Sequence, residues 1–293
     1  MDPVALAAAI DRDARSRLRP VAVVATIGTT SLTAVDPVDE IADVAASRGL
    51  WLHVDAAYAG PAAALPRMRA HFRGWERADS IVINPHKWLF TPIDCSALYV
   101  RDPAALHAAF SLTPAYLETG EEGVAHNMDL GLALGRRFRA LKLWFVMRYF
   151  GQDGLRAILE RHLRLARDLA DLVDAAPDWQ RWRPSLFSLV VLRYAPAGMG
   201  SGRRDAANIA IMEQVNGSGA AFVSHTEIDG EVWLRIAIGN IHTLDEHVRG
   251  AWTALQDGAA EAGQAGWPGR AGPFRGGGRG RTTRPRLTRR EPP

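Results

Sequence analysis

Short apolar runs alternate with amphipathic helical segments through the first hundred residues, and this alternation constrains the fold more than any other feature. Residues 21–26, 50–54 and 80–83 are mostly apolar, as expected for strands that are buried on both faces. Asp36 and Gly49 bound an amphipathic helix between the first two runs. This strand–helix–strand order predicts an α/β fold with a mostly parallel sheet and helices on both faces.

A fourth strand is predicted at residues 96–100. The connection that leads to it from the third strand is short and contains Pro92, so a helical crossover does not fit there. We therefore expect this strand to run antiparallel to its neighbour.

The second half of the chain predicts a smaller α+β domain. Its expected helices are residues 136–150, 153–176, 205–215 and 244–255, and its expected strands are residues 186–194, 220–224 and 231–238. We divide the chain into residues 1–145 (part of a large domain), 146–258 (a small domain) and 259–293 (a tail rich in Gly, Arg and Pro).

Charge is unevenly distributed along the 293 residues. The formal net charge is +3, but the tail holds eight arginines against two glutamates, which leaves −3 for the rest. A tail of this composition is typical of solvated, disordered chain, so we predict neither a nucleic-acid nor a membrane partner. The chain start lacks the basic segment of a signal peptide, and Cys95 is the single cysteine, which fits the cytoplasm.

Lysine is rare in this chain: of 35 basic residues, only Lys87 and Lys142 are lysines. Lys87 ends the segment Asn84-Pro85-His86-Lys87, which follows the third strand, and Asp55 ends the second strand. Because ligands of parallel α/β sheets bind at the carboxyl ends of the strands, both side chains are expected at one edge. An amine that forms a Schiff base and a carboxylate that keeps a pyridine nitrogen protonated are what a pyridoxal cofactor requires.

Several motifs occur in the order typical of one enzyme family: TIGTT at 26–30, HVDAAYAG at 53–60 and NPHKW at 84–88. With DCSA at 94–97 and LGRRFRALKLW at 134–144, the chain resembles the pyridoxal-phosphate group II decarboxylases. Tyr58 and Trp88 resemble the aromatic-L-amino-acid branch more than the glutamate branch. The resemblance spans about residues 2–255 and implies the fold type I architecture of pyridoxal-phosphate transferases.

The same resemblance implies roles for individual residues. Lys87 would be the Schiff-base lysine of pyridoxal 5'-phosphate, and Asp55 would contact the pyridine nitrogen. Thr30 and Ala57 would lie beside the ring, and Asn84 and His86 would lie in the hydrogen-bond shell of the cofactor. The catalytic set implied is Lys87, His86 and Tyr116, where the Tyr116 phenol returns a proton to the substrate carbon after carbon dioxide leaves. Arg235 is a weaker candidate on the substrate side.

These observations predict a cytoplasmic, homodimeric lyase that decarboxylates an amino acid, expected to be aromatic. The family normally carries a long segment ahead of the point where this sequence starts, so an inactive or half-site fragment that needs a partner is the alternative. A metal hydrolase built on His53, Asp55 and His86 is a third reading, although His53 also suits a buried strand position. A related enzyme that uses oxygen to form an aldehyde is disfavoured by Tyr116, again by resemblance.

Overall fold

The computed structural model describes residues 1–111 and 127–264. Its first part contains α1 (Pro3–Arg15), β1 (Ala22–Thr26), α2 (Val38–Ser47), β2 (Trp51–Asp55), three 3₁₀ helices (Gly60–Ala64, Pro66–Phe72 and Trp75–Arg77), β3 (Ser80–Ile83), α3 (Pro85–Trp88), β4 (Ala97–Val100) and α4 (Pro103–Phe110). The remainder contains a 3₁₀ helix (Asn127–Leu130), α5 (Arg139–Ala175), β5 (Trp179–Arg181), β6 (Leu189–Tyr194), α6 (Ser201–Ser218), β7 (Ser224–Ile228), β8 (Glu231–Ala237) and α7 (Asp245–Gln264).

Two four-stranded sheets organise the chain. The first has the order β1-β2-β3-β4, in which β1, β2 and β3 are parallel and β4 is antiparallel. The second has the order β5-β6-β8-β7 and is antiparallel throughout. The predicted α/β architecture, with a mostly parallel sheet and a smaller α+β part, is confirmed, as is the antiparallel fourth strand.

Three details of the second half differ from the prediction. Strand β7 lies at Ser224–Ile228 rather than at residues 220–224, and the three-residue strand β5 was not predicted. The two predicted helices 136–150 and 153–176 form one assigned helix, α5, which is interrupted at Gly151 with φ 66° and ψ 175°. Glycine adopts this positive φ without the steric penalty of a Cβ, so the helix changes direction there.

The core is divided between the sheets. One apolar cluster joins β1, β2 and α2 to Leu159 and Leu163 of α5, and a second joins residues 165–173 of α5 to β6, α6 and α7. Phe187, just before β6 of the second sheet, belongs to the first cluster, so the two sheets are connected through this side chain. Our domain division stays a prediction: its boundary at 145/146 lies within α5, and residues 259–264 are helical in α7.

Of the helices in residues 1–111 and 127–264, none combines the length and the apolar character that a membrane span needs.

Candidate functional site

Asp55 lies at the carboxyl end of β2, between the two other parallel strands. In the register of the sheet it pairs with Thr26 on β1 and with Val82 on β3. Its Oδ1 accepts a hydrogen bond from the backbone N–H of Ala57 at 2.9 Å, and this is the one hydrogen bond that the described residues give the carboxylate. The second oxygen of Asp55 is therefore left for a ligand.

A continuous chain of hydrogen bonds joins Asp55 to Lys87. The Ala57 N–H is bound to Asp55, the Ala57 carbonyl accepts from the Asn84 N–H at 3.0 Å, and the Asn84 carbonyl accepts from the Lys87 N–H at 2.9 Å. Asp55 and Lys87, which are 32 residues apart in sequence, are thus connected through Ala57 and Asn84. The structure brings Asp55, Ala57, Asn84 and Lys87 to one edge of the sheet, as the sequence predicts.

Lys87 occupies the third position of the four-residue helix α3. Its side chain is exposed and makes neither a hydrogen bond nor an ion pair within the described part of the chain. A lysine amine can lose its proton and act as a nucleophile, so this side chain is available to react with a ligand.

The loop before β4 supports the other polar groups of this edge. Asn84 Oδ1 accepts a hydrogen bond from Ser96 Oγ at 2.6 Å, and His86 Nδ1 lies 2.6 Å from the carbonyl oxygen of Cys95. Asp94 forms ion pairs with Arg137 and Arg139, both at 2.8 Å. The guanidinium of Arg139, helped by Arg137, lowers the pKa of Asp94. The loop therefore connects residues 84–87, which we call the lysine turn, to the start of α5.

Thr30 lies on the exposed loop after β1, which turns at Gly28. Gly28 has φ 85°, and a Cβ placed on it would come within 2.7 Å of Ala59 Cβ, so glycine is required for this close approach. Arg235 of β8 donates to the carbonyl groups of Thr30 and of Ser31, the latter at 3.0 Å. Burial lowers the pKa of Arg235, and the contact places its cation beside the predicted site.

Two side chains of the site were absent from our sequence-based set of site residues. His162 of α5 accepts a hydrogen bond from the Trp88 indole at 3.1 Å, and Ser188 contacts the Tyr58 hydroxyl at 2.8 Å. The signal for His162 was a single polar residue in the apolar stripe of an amphipathic helix. Ser188 lies in a continuous apolar strand region and gave no comparable signal.

Tyr116 lies outside the described residues, so its predicted role stays a prediction. Two histidines of the alternative metal site make hydrogen-bond contacts within the protein. His53 Nδ1 lies 2.8 Å from Ser80 Oγ, and His86 contacts the Cys95 carbonyl. Burial lowers the pKa of His53, while the charge of Asp55 opposes the shift. Within residues 1–111 and 127–264, no three histidine, cysteine or acidic side chains gather in a way that could hold a metal ion.

Comparison with known sequences identifies one matching domain. Residues 1–195 match the pyridoxal-dependent decarboxylase conserved domain. The chain is 40% identical over 261 residues to phenylacetaldehyde synthase of Arabidopsis thaliana, which covers 88% of this chain and 53% of that protein. It is 42% identical over 265 residues to tryptophan decarboxylase 1 of Oryza sativa subsp. japonica, which covers 87% of this chain and 51% of that protein. The chain thus spans about half the length of these relatives.

Solved structures give the same result for the fold. The crystal structure of Oryza sativa TDC with PLP and tryptamine superposes with a TM-score of 0.85 at 40% sequence identity. The match covers 89% of this chain and 55% of that one.

Proposed function

Because this chain belongs to the pyridoxal-dependent decarboxylase family, we propose that it catalyses pyridoxal-phosphate-dependent decarboxylation of an aromatic L-amino acid. The products are the corresponding amine and carbon dioxide. The observation that carries the proposal is the hydrogen-bonded chain that fixes the Asp55 carboxylate relative to the backbone of Lys87. The names of the relatives, which include tryptophan and tyrosine decarboxylases, support the aromatic substrate class and favour the enzyme over an inactive half-site.

The residues at the sheet edge fit pyridoxal phosphate. The cofactor needs an amine for its aldehyde and an anion for its pyridine nitrogen. The edge offers the Lys87 amine and one oxygen of Asp55, neither of which has a hydrogen-bond partner among residues 1–111 and 127–264. Thr30 and Ala57 would lie beside the ring, and Asn84 and His86 would complete its hydrogen-bond shell. When bound, the cofactor supplies an electron sink for the bond to the departing carboxyl group.

Asp55 holds a proton at the pyridine nitrogen in this proposal, since a nearby anion favours the protonated form. The Ala57 N–H fixes one carboxylate oxygen and so orients the other. His86 is held by the Cys95 backbone, which keeps its ring in one orientation beside Lys87. Lys87 would hold the cofactor through its side-chain amine.

Tyr116 donates the proton that replaces the lost carboxyl group at the substrate carbon. A phenol suits this step because it is an acid that a closed site can present without admitting water. Its role rests on the resemblance of the segment Pro114-Ala115-Tyr116-Leu117 to the family.

The test of the cofactor site is the visible absorbance of the protein after addition of pyridoxal phosphate. Lys87→Ala abolishes the absorbance band and the release of carbon dioxide, whereas Lys142→Ala, which removes the only other lysine, leaves both unchanged. A band of undiminished intensity in the Lys87→Ala protein would overturn the proposal.

Product analysis distinguishes decarboxylation from the aldehyde-forming reaction that the name of one relative suggests. We expect one amine per carbon dioxide without oxygen consumption, and Tyr116→Phe to slow amine release by about 10²- to 10⁴-fold, the usual contribution of a general acid. Stoichiometric oxygen consumption with release of an aldehyde by the unmodified protein would favour the second reaction.

We also propose that the protein is a homodimer. Leu141, Trp144, Phe145 and Tyr149 recur at helical spacing on α5 and are exposed, and apolar patches of this kind are typical of interfaces. Light scattering after size exclusion should give a dimer mass. Phe145→Glu should reduce that mass to the mass of the monomer. Leu18→Glu, which changes an exposed leucine outside this patch on α5, should leave the dimer mass unchanged.

Two further proposals concern the setting of the enzyme. We propose a cytoplasmic location, which the single, buried Cys95 supports. We propose the division into residues 1–145, 146–258 and 259–293, for which limited proteolysis is the test: cleavage should begin in the tail.

A further inference from the structure

A column of hydrogen bonds and stacked rings lies behind the lysine turn. The Asn240 carbonyl accepts a hydrogen bond from His162 Nε2 at 3.0 Å, and His162 Nδ1 accepts one from the Trp88 indole at 3.1 Å. The Trp88 ring stacks on the Tyr58 ring, with 5.1 Å between centroids and 14° between planes. The column ends where the Tyr58 hydroxyl meets Ser188 Oγ at 2.8 Å.

These contacts determine the protonation of His162. Because Nδ1 faces a donor and Nε2 faces a carbonyl, the neutral form with its hydrogen on Nε2 satisfies both partners. His162 is fully buried, and its burial lowers the pKa to about 4. The ring is therefore a fixed acceptor for Trp88 at neutral pH.

The column reaches both strand ends of the site. Trp88 directly follows Lys87, and Tyr58 is three residues beyond Asp55. Two buried or half-buried rings in contact thus link the turn that bears the amine to the turn that bears the carboxylate. Asn240 and Ser188 lie in the small domain, so the column also connects this pair of turns to the second sheet.

Lys87 depends on such an anchor because its own helix is short. A four-residue helix has little stability of its own, and the Lys87 side chain has no hydrogen-bond partner in the described part of the chain. Trp88 is 1% exposed and fixes the end of that helix, and His162 is the hydrogen-bond partner that the described residues give its indole. Loss of this acceptor leaves a buried N–H unpaired, and the indole must move to satisfy it.

We propose that His162 is a positioning residue that holds the turn bearing Lys87 in place through the Trp88 indole. The inference rests on the proposed function, in which Lys87 binds the cofactor, but it concerns the geometry of the lysine turn before any cofactor is present. His162 touches neither substrate nor cofactor in this proposal.

The test uses the two lysines of the full chain as internal reporters. In the NMR spectrum of protein labelled with ¹³C-lysine and free of cofactor, we expect two sets of lysine side-chain resonances. The set that disappears in Lys142→Arg belongs to Lys142, and the set that remains belongs to Lys87. His162→Leu should shift and broaden the Lys87 resonance and leave the Lys142 resonance unchanged. His162→Asn, whose amide oxygen replaces the Nδ1 acceptor, should retain the native Lys87 resonance.

Attachment of pyridoxal phosphate gives a second readout. The rate at which borohydride-trapped cofactor appears on Lys87 should fall about tenfold in His162→Leu, as expected for loss of one buried hydrogen bond, and stay near native in His162→Asn. Asn208→Ala is the control, because Asn208 is another fully buried side chain whose hydrogen bonds lie in the small domain. It should lower stability without slowing attachment.

The outcomes separate the two proposals. If the unmodified protein takes up no pyridoxal phosphate, the proposed function fails, and the lysine resonances still decide the role of His162. A native Lys87 resonance in His162→Leu, or an equal slowing of attachment in Asn208→Ala, would overturn the positioning role. If His162→Leu does not fold, Trp88→Phe replaces it: this variant keeps the stacked ring, removes the indole N–H and should give the same shift of the Lys87 resonance.

Discussion

The two faces of the first sheet differ in both packing and chemistry. On the covered face, formed by Val23, Ala25, Leu52 and Val54, the side chains are buried in the apolar cluster with α2. On the open face, formed by Ala22, Val24, Trp51, His53 and Asp55, every side chain is exposed or only partly buried. In the register of β1 with β2, residues of the covered face pair with each other, and so do residues of the open face. The distinction between the two faces therefore holds for both β1 and β2. Stability and catalysis are therefore assigned to different sides of the same strands, and substitutions should separate them.

The largest effect is expected on the open face. Asp55→Asn keeps an acceptor for the Ala57 N–H but removes the charge that faces the cofactor, so kcat/KM for decarboxylation should fall by about 10²- to 10³-fold. The free energy of unfolding should change little. Asp36→Asn is the matched control, because Asp36 accepts a backbone hydrogen bond from Thr26 at 2.8 Å near the same edge. Full activity of Asp55→Asn would show that the open face does not hold the pyridine nitrogen.

The covered face should show the opposite behaviour. Leu52 is 2% exposed, and Leu52→Ala should lower the free energy of unfolding by about 2–5 kcal/mol through lost burial and a residual cavity. Val24, on the open face of the neighbouring strand, is 52% exposed. Val24→Ala should change the free energy of unfolding by less than about 0.5 kcal/mol. Chemical denaturation measures both. Equal costs for the two substitutions would contradict the division of the sheet.

Acidification should weaken the packing behind the site. The pKa of His162 is lowered from 6.5 to about 4 by burial, so the unfolded chain binds a proton between these pH values and the native chain does not. Stability from this group is complete above pH 6.5 and is lost as the pH falls towards 4, by about 3 kcal/mol in total. Unfolding curves at pH 7 and pH 4.5 measure the loss, and His162→Asn should reduce it.

The smallest expected effect concerns the charge interaction between His53 and Asp55 on the open face. Burial lowers the pKa of His53, and the Asp55 carboxylate counteracts that shift. Asp55→Asn should therefore lower the pKa of His53 further, as measured by NMR titration of the histidine ring. An unchanged titration of His53 would mean that the two side chains do not interact across the open face.

Much of the first sheet could be predicted because its parallel strands appear as mostly apolar runs. The expected burial on both faces was wrong for β1 and β2, whose burial alternates between a covered and an open face. The antiparallel direction of β4 followed from the short connection before it. The position of β7 was wrong because residues 220–224 look apolar, although Phe222 is exposed. The stronger signal was Asp229-Gly230, whose φ values of 53° and 79° form the tight hairpin that pairs Ile228 with Glu231.

Part of the candidate site was equally accessible to sequence reasoning. Asp55, Asn84 and Lys87 follow strands whose ends must meet at one edge, and the structure joins them through Ala57. Thr30 also follows a strand, but its attachment to Arg235 joins residues 205 positions apart and could not be read from local pattern. Tyr116 was identified by resemblance and lies outside the described residues.

The sequence by itself determined the mostly parallel character of the first sheet, the edge that carries the polar groups and the amine available for chemistry. These properties depend on local apolar patterning and on the near absence of lysine, which are both visible along the chain. Only the tertiary structure decided which buried groups pack behind the turn that bears that amine. His162, Trp88, Tyr58 and Ser188 come from four separate segments, and a hydrogen bond or a ring contact between distant segments depends on distances that no periodicity encodes.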